Sequence, residues 1–245
     1  MKIETHSINA KKIYDYYFDA ELELKNKNRF SNEKLDKIVD FLINFKVNET
    51  LIKKGTILYR ARIYDEFDAE ERYIYPSTNN FKGYDEKNSY VNLNNHTIMG
   101  GRCNPAGIIC LYASNSIQCC IHEIRPNIGE YVSVASIEVC NRLNMLDLST
   151  DTIIPGTTNP CEIEHIARCQ FLFNLFKRPY QYRDDYLITQ YISEKIKNHG
   201  FDGIKYTSSL YCGGENTNYV IFSYKKCHAI DSKLYKIVAN QIVYE

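Results

Sequence analysis

The chain carries no excess of either charge: Lys+Arg and Asp+Glu both number 30 in 245 residues. A general electrostatic grip on nucleic acid or on an anionic membrane surface is therefore not expected. No run approaches the roughly 20 apolar residues that a membrane-spanning helix needs. The start, MKIETHSINAKKIYDYYFDAE, lacks the apolar stretch of a signal peptide, so a cytoplasmic protein is expected. The nine cysteines include no C-x-x-C pair, and the six histidines do not join them at zinc spacing. Cys161 and His165 come nearest, and no metal site is expected. The odd cysteine count, with Cys110, Cys119, Cys120, Cys140 and Cys169 inside apolar segments, reads as reduced core thiols. Internal repeats and low-complexity linkers are lacking. So are G-x-G-x-x-G and Walker loops, which leaves Rossmann and P-loop modes of nucleotide binding without support.

What is present is an ordinary globular balance, 44% hydrophobic and 24% charged. The length suits one substantial domain with an appendage. In SNEKLDKIVDFLINFK (31–46), Leu35, Ile38, Val39, Leu42 and Phe45 form a stripe at helical spacing, with Ser31 as a candidate N-cap. Residues 1–50 mix both charges evenly and predict a helical appendage packed on the main body. Residues 51–245 would form that body. TILYRAR (56–62) alternates like a strand. Residues 64–98 are polar and tyrosine-rich, without clear period, and predict a long loop. IICLYA (108–113) reads as a buried strand. A helix over 116–124 follows, capped by Ser114 or Ser116 and ended by Pro126.

EYVSVASIEVC (130–140) alternates as a strand. Asn159-Pro160 opens a helix that continues through CEIEHIARCQFLFNLF. YRDDYLITQYISEKIKNHG predicts another helix, stopped at Gly200. GIKYTS (203–208) and NYVIFSY (218–224) are strands, and the tail holds one or two more. Strands and helices intersperse without a regular βαβ repeat, so the fold class is α+β.

Several residues are candidates for chemistry. Arg60 sits in a largely apolar strand, and Arg102 follows Gly100-Gly101, where a tight turn lets backbone approach a ligand. An arginine fork suits phosphate or carboxylate. Glu123 is a lone carboxylate on a helix of isoleucines and cysteines, costly there unless it is paired or used. Tyr112 and Ser208 each end a strand. Taken singly, each has an ordinary reading: a solvated strand end, a turn charge, a boundary glutamate reaching water.

Taken together, LYRAR (58–62), GGRCNPAGIICLYAS (100–114), HEIRP (122–126), GFDGIKYTSS (200–209) and NYVIF (218–222) resemble the RES-domain family, named for its Arg, Glu and Ser. The resemblance spans roughly residues 51–225 and is nearer to a longer subgroup than to the small toxins. It implies an ADP-ribosyltransferase-like fold and consumption of NAD+ as substrate, by phosphorolysis with inorganic phosphate as co-substrate or by hydrolysis, with no cofactor. The matching positions imply catalytic Arg60, Glu123 and Ser208. They imply NAD+ binding by Arg60, Arg102, Tyr112, Glu123 and Ser208, with Arg125 a further candidate for an anion pocket. Family membership also implies a toxin or phage-defence role and a separately encoded antitoxin as partner. Two departures stand out. Cys103 replaces a frequent tryptophan, and Ala61 replaces a tyrosine that some toxin members place towards the ligand. The same residues are compatible with an ADP-ribosyltransferase acting on a macromolecule, or with a non-catalytic NAD-binding module.

Overall fold

A computed structural model of the chain describes residues 10–44, 49–64, 80–91, 99–149, 160–178 and 186–239. Within them, helices α1 (Ala10–Asn26) and α2 (Glu33–Asn44) precede strands β1 (Glu49–Ile52) and β2 (Ile57–Ile63). A short helix α3 (Glu86–Ser89), strand β3 (Leu111–Ser114) and helix α4 (Ile117–Ile124) follow. The chain continues as β4 (Tyr131–Val139), β5 (Leu143–Asp147), α5 (Pro160–Lys177), α6 (Leu187–Asn198), β6 (Gly203–Thr207), β7 (Thr217–Ile221) and β8 (Cys227–Lys236). The strands form one mixed sheet in the order β1-β5-β6-β7-β3-β2-β4-β8. All pairs are antiparallel except β5 with β6. A parallel neighbour needs a crossover, and α5 and α6 lie in that connection. The architecture is α+β, as the mixed order of elements predicts.

The largest core cluster joins Tyr17 and Leu24 of α1, Leu35, Ile38 and Leu42 of α2, Leu172 and Phe176 of α5 and Ile192 of α6 to Ile204 and Val220 of the sheet. α4 covers the other half of the same face, over Ala61, Val132 and Val134. The opposite face carries Leu58, Leu111, Ile137 and Met145, packed by Phe81 and Val91.

The N-cap of α2 is Asn32, not Ser31: the Leu35 amide donates to Asn32 Oδ1 at 3.1 Å. Ser116 caps α4 through the Cys119 amide, while Ser114 stays in β3. β3 begins at Leu111, not Ile108: the Ile108 amide closes a turn on the Pro105 carbonyl at 3.2 Å, and its own carbonyl accepts from Asn104 Nδ2 at 2.7 Å. Helix α1 was not legible as a period: Tyr17, Ala20 and Leu24 are buried, yet Tyr14, Phe18 and Leu22 on its outer side are also apolar. β1 and β5 are too short to show alternation. The loop expected over 64–98 contains α3, and its stretches 65–79 and 92–98 lie outside the described residues. So do Phe45, Asn159, residues 182–185, the tail after 239, and the side chains of Cys161 and His165. Among the described residues no helix is long and apolar enough to cross a membrane, and no cluster of metal-ligating side chains is found.

Candidate active site

β2 and β3 pair only at Tyr59↔Ser114, whereas β2 pairs with β4 along its whole length. Beyond that point the two strands part. Arg60 enters this gap and donates from Nη1 to the Tyr112 carbonyl at 3.0 Å. Its buried Nε has no hydrogen-bond partner among the described residues. Burial, and secondarily the charge of Arg62, pull the Arg60 pKa down to about 10, so the side chain is still cationic at neutral pH. A cavity of about 430 Å³ opens here, walled by Arg60, Arg62, Tyr112, Glu123, Tyr206 and Asn218 among others. A larger cavity of about 550 Å³ lies between Phe30, Pro105 and α6. The chemistry-bearing residues line the smaller one.

Strand pairing places Tyr206, Asn218 and Ser114 in one cross-strand row, Tyr206 opposite Asn218 and Asn218 opposite Ser114. Paired residues share a face. α4 covers that face and brings Glu123, in its last turn, onto the row. Glu123 Oε1 accepts from Ser208 Oγ at 2.5 Å and from Asn218 Nδ2 at 2.7 Å. Asn218 Oδ1 accepts in turn from Ser114 Oγ at 2.6 Å. Ser208 is pinned as well, accepting from the Leu210 and Tyr211 amides at 3.1 and 3.3 Å. Glu123 Oε2 accepts no hydrogen bond among the described residues. The carboxylate is thus fixed by one oxygen, with the other unclaimed.

The structure brings Arg60, Tyr112 and Glu123 to one cavity and sets Ser208 against Glu123. It does not bring Arg102 to the cavity wall. Arg102 donates from Nη1 to the Leu175 and Arg178 carbonyls at 3.0 and 2.9 Å, at the C-terminus of α5. There a cation satisfies carbonyls that the helix leaves unpaired. Its guanidinium carbon lies 5.5 Å from the centroid of Tyr206, one layer behind the cavity. Burial pushes the Tyr206 hydroxyl up, against the pull of Arg102. Arg125 is exposed, in the left-handed conformation (φ 49°) that ends α4.

The Gly-Gly pair serves a different neighbour from the one expected of it. A Cβ on Gly101 would sit 2.6 Å from the Tyr112 hydroxyl and 2.9 Å from Asn104 Oδ1. The close approach is therefore by Tyr112, which donates to Asn104 Oδ1 at 2.6 Å and accepts from the Cys103 amide at 3.0 Å. Cys103 is buried in the main core, and burial pushes its thiol up to about 12. It is a packing residue here. Ala61 packs under α4 beside Cys120.

Sequence reasoning passed over Tyr206, Asn218 and Arg62. The first two stand inside quoted motifs, GIKYTS and NYVIF, and the period-two alternation with Ser208 and Val220 carries the signal. Arg62 follows Arg60 by two residues on the same strand. It donates to the Asn88 carbonyl and lies over the Tyr84 ring at 4.7 Å.

A family model described as the RES domain matches residues 75–238, which include Arg102, Tyr112, Glu123 and Ser208 and begin after Arg60. Among curated proteins nothing matches the chain. Among solved structures, the chain is similar to one titled as the crystal structure of the M. tuberculosis MbcT-MbcA toxin-antitoxin complex. The identity is 14% and the TM-score 0.44, over 84% of this chain and 93% of that one. The family match covers well over half of the chain and contains the motifs around Glu123 and Ser208, and on that ground the chain belongs to the RES-domain family.

Proposed function

We propose that this protein cleaves the bond between nicotinamide and ribose in NAD+. The observation that carries the reading is the Glu123 carboxylate. One oxygen is locked by Ser208 and Asn218, and the carboxylate shares a cavity with a cationic Arg60; among the described residues the other oxygen and the Arg60 Nε have no partner. A cavity of this size lies in the range of small-molecule sites.

The chemistry fits a site with one carboxylate. When the C1′–N bond breaks, its electron pair returns to the pyridinium nitrogen and nicotinamide leaves neutral. No proton has to be delivered to the leaving group, so the second carboxylate of an ordinary glycosidase is dispensable. Positive charge develops at C1′ and the ring oxygen, and a fixed carboxylate stabilises it without reorganising. In this reading Glu123 holds a ribose hydroxyl and faces that charge. Arg60, with Arg62, receives the pyrophosphate through charge-assisted hydrogen bonds. Tyr112 walls the nicotinamide, and Ser208 acts by holding Glu123. An oxygen of phosphate or of water then adds to C1′ and gives up its proton to solvent.

The test is NAD+ loss by the purified chain, wild type against Glu123→Gln, with and without inorganic phosphate. The substitution keeps shape and removes charge, and a fall of about 100-fold or more is expected. NAD+ loss at the wild-type rate in Glu123→Gln would overturn the assignment. Product masses separate the acceptors: a phosphorylated ADP-ribose for phosphorolysis, ADP-ribose for hydrolysis, and label on a macromolecule for ADP-ribosyltransfer. Binding of NAD+ without turnover would leave a non-catalytic module. We place the activity in the cytoplasm, where an enzyme that destroys NAD+ would have to be restrained. A toxin or defence role with a separately encoded antitoxin follows as part of the proposal. Induced expression with NAD+ quantified, with and without the Glu123→Gln change, tests it in the cell.

A further inference from the structure

A second chemical array lies at the other end of the sheet. Arg60 pairs with Ala135 on β4, and β4 runs on to Val139 before the chain turns at Cys140. Five residue steps separate Ala135 from Cys140, about 17 Å at the usual strand rise. The Cys140 amide donates to the Lys226 carbonyl at 2.8 Å, which holds the turn against the start of β8. Glu138 and His228 are direct partners in the β4–β8 register. That register sets the imidazole between two groups. Its Nδ1 is 2.8 Å from Cys140 Sγ, and its Nε2 is 3.7 Å from Glu138 Oε2. Cys140 is half-buried and His228 exposed. Neither cavity described above includes them.

A thiol on one ring nitrogen and a carboxylate on the other is the nucleophile–base–orienter order that generates a thiolate. Reactive cysteines sit beside a histidine with partial solvent access, whereas buried ones are inert. Cys103, Cys119, Cys120, Cys169 and Cys227 are of the buried kind. Cys140 is half-buried and lies outside both cavities described above, which suits a small diffusible electrophile better than a peptide or an ester.

We propose that Cys140 is an activated thiol and the site at which hydroperoxides modify this protein. His228 takes the thiol proton, and Glu138 orients and stabilises the resulting imidazolium. The thiolate sulfur attacks the terminal peroxide oxygen. An S–O bond forms, the O–O bond breaks, and sulfur is oxidised by two electrons to the sulfenic acid. The departing hydroxide or alkoxide takes the imidazolium proton and leaves as water or alcohol. One thiol from solution then condenses with the sulfenic acid to a mixed disulfide, releasing water, and a second thiol attacks that disulfide, returning the cysteine thiol and leaving as the solution disulfide.

The full chain contains its own control in Cys212, which is exposed and has no hydrogen-bonded base among the described residues. The experiment treats the protein with substoichiometric hydrogen peroxide, traps sulfenic acid with dimedone and maps the adducts by peptide mass. Cys140 is expected to be trapped at least about tenfold faster than Cys212. His228→Ala should bring it to the Cys212 rate or below, and Glu138→Gln should slow it less. Trapping of Cys212 as fast as Cys140 in the wild type would overturn the proposal, and so would an unchanged Cys140 rate in His228→Ala. His228 is exposed, so the fold should tolerate the change. If the melting temperature falls, His228→Gln, which fills the position without accepting a proton, replaces it with the same two outcomes.

Discussion

At Asn218 two demands meet. Its amide nitrogen donates to Glu123 and its amide oxygen accepts from Ser114, so one buried side chain fixes the Glu123 carboxylate and satisfies a buried hydroxyl. Asn218→Ala removes both contacts. In the proposed reaction kcat should fall about 10- to 100-fold, the equivalent of one charged hydrogen bond. An unchanged kcat would show that Ser208 alone positions Glu123. Arg102 presents the opposite case. Its Nη1 is engaged by two carbonyls at the end of α5, so Arg102→Ala should destabilise the fold by about 1–3 kcal/mol. KM for NAD+ should change little. A raised KM with an unchanged urea midpoint would instead place Arg102 on the substrate. Both residues stand in the family motifs, though only Arg102 is singled out by its residue type. The sequence did not distinguish a wall residue from one placed behind the wall, because that depends on which carbonyls lie within reach.

At the level of elements, GFDGIKYTSS shows how one motif builds the site. Gly200 ends α6 in the left-handed region (φ 87°), where a Cβ is disfavoured. Asp202 accepts from the Asn144 amide at 2.9 Å and from Lys226 Nζ at 2.7 Å, tying the head of β5 to the turn after β7. A Cβ on Gly203 would lie 2.2 Å from the Val220 carbonyl oxygen and 3.0 Å from the Ile221 Cα. Those neighbours are backbone and cannot rotate aside. Gly203→Ala should therefore push β6 from β7 and destabilise by at least about 1–3 kcal/mol, read as a lower urea midpoint. Because β6 carries Tyr206 and leads into Ser208, the proposed NAD+ turnover should fall with it. A wild-type urea midpoint would mean that the sheet absorbs the methyl group. The reach of the motif was legible in the residue types. The β2–β3 gap was not, because TILYRAR alternates like any paired strand and the loss of pairing belongs to its neighbour.

For the whole molecule, the two N-terminal helices share their core with the sheet. Tyr17, Ala20 and Leu24 of α1 and Leu35, Ile38, Val39 and Leu42 of α2 are at most 3% exposed, in the cluster that also contains Phe176, Ile204 and Tyr206. Tyr191 of α6 donates to Asp36 at 2.8 Å and accepts from the Asn32 amide at 2.7 Å, which locks the head of α2 onto the body. Burial contributes about 1.5–3 kcal/mol for each large apolar side chain, and net stabilities are about 5–15 kcal/mol. Deleting residues 1–44 should abolish cooperative unfolding or leave the chain insoluble. A truncated protein that melts cooperatively near the wild-type temperature would show that residues 1–50 form a dispensable unit.

The sequence by itself determined the class of fold, most elements and the candidate positions for chemistry. Those properties rest on local rules: apolar periods of 3.6 and 2, glycines where a Cβ is forbidden, prolines and serines at helix ends. Tertiary structure alone decided which candidates meet. Glu123, Ser208 and Asn218 are 85 and 95 residues apart along the chain, measured from Glu123, and converge because β7 lies between β6 and β3 under α4. The end of α5 holds Arg102 beside Tyr206, and the β4–β8 pairing sets His228 between Cys140 and Glu138. Neither arrangement is written in any local period, because strand order is selected by the burial of distant faces against one another.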